Sequence, residues 1–140
     1  MRVWVLTDGK AGDEQQCLGV AEALGAVELR RVKPWAPFVW LMPYGPIDPF
    51  EAPGREGSPI APPFPDVVIG SGRRAVPYVR RVRRASRRRS FTVFLKDPVA
   101  GARTADLIWV PEHDALRGPN VIATLTPPHR FTAARLAARA

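Results

Sequence analysis

The sequence predicts an α/β fold: a Rossmann-like open parallel sheet flanked by helices. Three observations carry this. Short, continuous apolar runs (Val3-Trp4-Val5-Leu6 and Val67-Val68-Ile69-Gly70) read as strands buried on both faces rather than alternating ones. Both end in a glycine-bearing polar turn that opens a helix, at Thr7 to Asp13 and at Ser71 to Arg74. The spacing of strands and helical patterns suits parallel strands with right-handed crossovers. The strand order is not readable from the sequence.

Taken in order, the first strand covers about residues 2–6 and the first helix about 13–24. Asp13 is placed to cap that helix, with Gln16 three positions on. Leu18, Ala21 and Leu24 share a helical face, and Gly25 marks the stop. Val27 to Val32 reads as a second strand. Residues 34–65 then hold ten of the 16 prolines, which leaves room only for a short element around Phe38 to Met42. Regular alternation resumes with Val67 to Gly70 and a helix at about 74–86, whose Ala75, Val79, Val82 and Ser86 share one face. Further strands follow at Phe91 to Lys96, Leu107 to Val110 and Asn120 to Leu125, and Thr132 is placed to cap a terminal helix.

At 140 residues and 46% hydrophobic content the chain has the size and composition of one folded domain. We therefore expect a single Rossmann-like domain over 1–140, with 34–65 as a Pro-rich aromatic insertion. No apolar stretch approaches the roughly 20 residues of a membrane span, and the N-terminus is too short in apolar residues for a signal peptide. Lone Cys17 suits a reducing compartment, so a cytoplasmic location is expected.

The formal net charge is +8, and nine arginines fall between Arg73 and Arg89 with no acidic residue from 67 to 96. That concentration predicts a positive surface. It suits an anionic membrane face or, ranked last, nucleic acid, because the aromatics are not interleaved with the arginines as a stacking platform requires. Trp35, Phe38 and Trp40 in the insertion are the candidate membrane contacts, against the plainer reading that the insertion only caps the sheet.

Because parallel strands deliver their C-terminal ends to one edge, the polar turns should converge there. Gly9, Lys10 and Gly12 form a turn able to hold an anion or sugar hydroxyl, although the spacing matches neither a Walker loop nor a dinucleotide fingerprint. Ser71, Gly72, Arg73 and Arg74 form a second anion-friendly turn, with arginine forks suited to phosphate or carboxylate. Asp8, Asp13 and His113 are candidate general bases; Glu112 and Asp114 flank the imidazole and would tune it. No cysteine or histidine spacing indicates a metal, and no cofactor is expected.

The segments Trp4-Val5-Leu6-Thr7-Asp8-Gly9-Lys10-Ala11-Gly12, Val68-Ile69-Gly70-Ser71-Gly72-Arg73-Arg74, Phe94-Leu95-Lys96-Asp97-Pro98 and Pro111-Glu112-His113-Asp114 through Gly118-Pro119-Asn120-Val121 resemble the plant "elongated mitochondria" fission family and its bacterial homologues. The resemblance runs in order along almost the whole chain. It implies the N-terminal half of a protein similar to GT-B glycosyltransferases, the half that faces the acceptor, with the usual second, nucleotide-sugar-binding domain absent. A nucleotide-sugar and a lipid-linked or sugar acceptor are the implied partners of the two halves together. A place at the inner membrane face, and inactivity of this half alone, follow from the same resemblance. The family also implies an alternative, a non-catalytic scaffold that recruits membrane-fission machinery.

Overall fold

The computed structural model describes residues 1–9, 11–96, 98–99, 101–111 and 116–124. Six strands form one sheet: β1 (Arg2–Thr7), β2 (Ala26–Arg31), β3 (Val67–Gly70), β4 (Phe91–Leu95), β5 (Leu107–Pro111) and β6 (Val121–Thr124). All pairings are parallel and the order is β2-β1-β3-β4-β5-β6. The direction of winding therefore reverses between β1 and β3. That places the switch point, where open α/β sheets bind ligands, between the ends of these two strands.

Each interior strand divides its side chains between two apolar layers, as the pleat requires. One layer joins Val3, Val5, Val67, Ile69, Val93 and Leu95 to Cys17, Val20 and Ala21 of α1 (Ala11–Glu22). The other joins Trp4, Leu6, Val68, Phe94 and Ile108 to Val76, Val79 and Val82 of α2 (Val76–Ala85). Helices on both faces explain why the strands read as unbroken apolar runs. Close approach is built in at Gly70, where a Cβ would lie 2.5 Å from Val79 Cγ2. β2 sits at an edge and is mostly exposed, and its ion pair between Arg30 and Glu28 (2.6 Å) guards that edge against further pairing.

Two boundaries differ from the sequence expectation. α1 starts at Ala11, so Asp13 is its third residue and not its cap; Gly12 lies in its first turn. The buried apolar positions among the described residues of α1 are Cys17, Val20 and Ala21, with Leu18, and Leu24 just beyond the helix, only partly covered. α2 is preceded by a 3-10 turn, Arg73–Ala75, because the chain must leave Gly72 sharply before it can wind as a helix. The expected terminal helix after Thr132 lies outside the described residues.

The Pro-rich segment packs on the α2 side of the sheet. Met42, Ile47 and Ile60 are buried there, while 3-10 turns form at Phe38–Leu41 and Pro49–Glu51. Polar ties replace regular structure in holding it. The buried Asp48 carboxylate accepts from the backbone N–H groups of Trp35 (2.8 Å) and Phe50 (2.9 Å). The Tyr78 hydroxyl, on α2, donates to Glu51, and Glu51 accepts from the Lys33 amide at 3.0 Å. Arg80 reaches from α2 to the carbonyl oxygens of Pro43 (2.9 Å) and Gly45 (3.2 Å).

Candidate functional site

At the switch point a crevice of about 660 Å³ opens between the ends of β1 and β3, lined by Asp8, Gly9, Val39, Trp40, Arg73 and Arg74. Three chain segments meet in it. Asp8 and Gly9 follow β1, Arg73 and Arg74 follow β3, and Val39 with Trp40 come from the insertion. Its volume is in the range of small-molecule sites.

The backbone dictates how the two turns approach. Gly9 has φ +95° and Gly72 has φ +96°, conformations that L side chains rarely adopt. At Gly72 space is also short: a Cβ there would stand 3.1–3.2 Å from the Asp8 carboxylate. The glycine is thus what lets the β3 turn pass beside Asp8. Gly9 also donates its N–H to Thr7 Oγ1 at 3.4 Å.

Beneath the first turn lies a network the sequence reading did not name. Arg31, at the end of β2, grips Glu14 with two parallel bonds, Nε to Oε1 (2.7 Å) and Nη2 to Oε2 (3.1 Å). The buried Thr7 hydroxyl donates to the same Glu14 Oε1 at 2.8 Å. The Arg31 hydrogen bond holds the Glu14 carboxyl below its usual range, against burial acting the other way and with help from Thr7. This pins the start of α1 to the ends of β1 and β2. Its sequence signal was present but faint: a carboxylate at an inward helical position, four residues inside the sheet-facing Leu18.

The second turn divides its roles. Ser71 is fully buried; its hydroxyl donates to the Leu95 carbonyl (3.2 Å) and its N–H to that of Leu6 (3.3 Å). It latches β3 to both neighbours and is not among the residues that line the crevice. Arg73 Nε donates to the Met42 carbonyl at 2.9 Å, which ties the insertion to the crevice rim. Arg73 and Arg74 are both exposed.

Of the candidates named from sequence, the structure brings together Asp8, Gly9, Arg73 and Arg74, with Gly72 at their centre. Gly12 sits exposed on α1, behind the turn. Lys10, His113, Glu112, Asp114 and Asp97 lie outside the described residues, as does the side chain of Asp13. Of the aromatic candidates, Trp35 and Trp40 are each 75% exposed and Phe38 is half-buried. Leu41, Tyr44 and Phe50 of the same insertion are exposed as well. No helix among the described residues is long and apolar enough to cross a membrane.

Comparison with curated proteins returns no match, and neither does comparison with solved structures. Comparison with family models gives one that covers residues 11–140, from α1 through the insertion, the Ser71 to Arg74 turn and the later strands, with β1, Asp8 and Gly9 before it. By that match the chain belongs to the Mitochondrial fission ELM1 family.

Proposed function

We propose that this chain is the acceptor-side half of a GT-B-like, glycosyltransferase-related protein. Its crevice takes an acceptor that carries an anionic group on an apolar body. The observation that carries the reading is the lining of the switch-point crevice: two arginines, one carboxylate and an apolar wall of Val39 and Trp40. Arg73 and Arg74 would bind phosphate or carboxylate, and Trp40 would pack on the apolar part. Asp8 would accept the proton of an acceptor hydroxyl as its oxygen bonds to the sugar's anomeric carbon. The nucleoside diphosphate would leave with the electrons of the broken bond. Donor binding belongs to a second domain, so this half alone is expected to be inactive. Asp13 and His113 stay candidate bases on sequence grounds.

An NMR titration tests the crevice. Octyl phosphate should shift the amides of Gly9 and Gly72 and the Trp40 indole, and octyl glucoside should not. Arg74→Ala should weaken the phosphate titration at least tenfold, roughly the loss of one charge-assisted bond. Equal response to the two amphiphiles, or shifts confined to other residues, would refute the site.

The exposed Trp35, Trp40, Leu41, Tyr44 and Phe50 favour a peripheral membrane position for this half, at the cytoplasmic face. Flotation with anionic liposomes should recover wild type and not a Trp35/Phe38/Trp40 triple-alanine variant; equal recovery removes that role. The same surface supports the second reading, a scaffold for fission machinery. Under that reading Asp8→Asn complements a null strain while the triple variant does not, and under the enzymatic reading Asp8→Asn fails.

A further inference from the structure

The arginines at the far end of α2 behave differently from those at the crevice. Five of them, Arg80, Arg83, Arg84, Arg88 and Arg103, line a single cavity of about 370 Å³. An adjoining hollow includes Asp106 and Asn120, which immediately precede β5 and β6, so this cavity lies toward the N-terminal edge of the sheet, opposite the crevice. Its inner members are fixed. Arg80 is held on insertion carbonyls, and Arg83 pairs with Asp106 at 3.1 Å while donating to the Arg103 carbonyl at 3.2 Å. Asp106 is already engaged, since it also accepts from the Thr92 amide and hydroxyl, both at 2.9 Å. Arg84, Arg88 and Arg103 are exposed and have no carboxylate partner among the described residues. Burial, and then the neighbouring Arg84, depress the Arg80 pKa, as expected where positive charge is concentrated.

A favourable helix dipole accounts for arginines in the last turn of α2. It does not account for Arg103, which arrives from a separate 3-10 turn at Ala102–Thr104, nor for the backbone at Arg87 and Arg88. α2 ends in a Schellman motif, with the Arg88 N–H on the Arg83 carbonyl (2.8 Å) and the Arg87 N–H on that of Arg84 (3.1 Å). Glycine normally occupies the left-handed position of this motif. Here Arg87 does, at φ +54°, and Arg88, the residue after it, is left-handed as well at φ +63°. Arg88 thereby enters the arginine cavity, whereas Arg87 lines a different one with Phe64 and Asp66. Arg87 bears the same strain without reaching that cavity, so what sets Arg88 apart is its place in the cavity and not its backbone.

We propose that Arg84, Arg88 and Arg103, braced by Arg80 and Arg83, form a second anion site that takes a ligand with two or more clustered phosphate groups. The cavity has the volume for a compact polyphosphate and no aromatic platform for bases, which favours such a group over a nucleic-acid strand. A free polyphosphate and a diphosphate lipid headgroup share this chemistry.

Calorimetric titration of the full chain with tripolyphosphate, beside co-sedimentation with cardiolipin-containing phosphatidylcholine vesicles, separates the two sources. Arg88→Gly and Arg103→Gln should each cut binding at least tenfold. Arg87→Gly should leave it within about twofold. Both glycine variants should raise Tm by a few degrees, roughly 2–6 °C, because each relieves a left-handed L-residue. Binding of tripolyphosphate with this pattern supports a free ligand; binding only to vesicles with the same pattern supports a headgroup. Binding of neither overturns the proposal, as does an equal loss in Arg87→Gly and Arg88→Gly, or displacement of tripolyphosphate by a tighter-binding oligonucleotide. None of these variants touches Asp8, Gly72 or Arg74, so the crevice reading stands or falls separately.

Discussion

Glu14 shows how a single carboxylate can position a glycine turn at the crevice without lining it. Its two bonds to Arg31 and one from Thr7 fix the start of α1 below Asp8 and Gly9. Glu14→Gln loses the charge-assisted pair and is expected to cost about 1–2 kcal/mol. The pH dependence follows from the lowered folded-state pKa: the stabilisation is complete above about pH 4.5, the ordinary carboxyl value, and fades as pH falls through the depressed one. Thermal melts of wild type and Glu14→Gln should therefore differ at pH 7 and converge in acid. Gly72→Ala is the matching test of the second turn. It places a left-handed alanine 3.1 Å from Asp8 and should destabilise by about 1–3 kcal/mol, with the Asp8 and Gly9 resonances displaced.

At the scale of elements, α2 holds both the sheet and the insertion. One face gives Val76, Val79 and Val82 to the core; Tyr78 and Arg80 hold the Pro-rich segment by its carboxylate and carbonyl groups. Burial and the nearby Glu51 push the Tyr78 hydroxyl pKa well up, so it stays a donor through the usable pH range. Tyr78→Phe should cost about 1–3 kcal/mol. Hydrogen exchange of the Trp35 and Phe50 amides should quicken while that of β3 and β4 changes little, since the sheet keeps its own ladders. The strands, both helices and the glycine turns were legible because their signals are local: apolar runs, helical spacing and a glycine turn after β1 and after β3. The insertion was not. Its order comes from the bonds of Asp48, Glu51, Tyr78 and Arg80, which span up to 37 positions (Arg80 to Pro43) and which no local pattern encodes. The crevice was half legible for the same reason. Asp8, Gly9, Arg73 and Arg74 follow from strand ends, whereas Val39 reaches it only through the fold of the insertion.

Over the whole molecule, positive charge is divided between the two edges of one sheet. Arg74 and Arg88 stand at opposite ends of α2, a ten-residue helix about 15 Å long. Ligands at the two edges should therefore bind independently. The Arg74→Ala/Arg88→Gly double variant should show stability changes that sum to within about 0.5 kcal/mol of the single ones. Octyl phosphate and tripolyphosphate, titrated together, should each keep its own affinity. A marked interaction energy would mean that α2 moves as a lever between the edges.

The bond from Arg73 to the Met42 carbonyl gives that arginine a second duty. With its Nε anchored, the guanidinium has already surrendered most of its torsional freedom before any guest arrives, so capture of an anion there forfeits little further entropy. Conversely, a guest that pulled the fork out of place would have to loosen the segment bearing Trp40, and under the proposed function occupancy of the pocket would be felt mechanically at the aromatic surface.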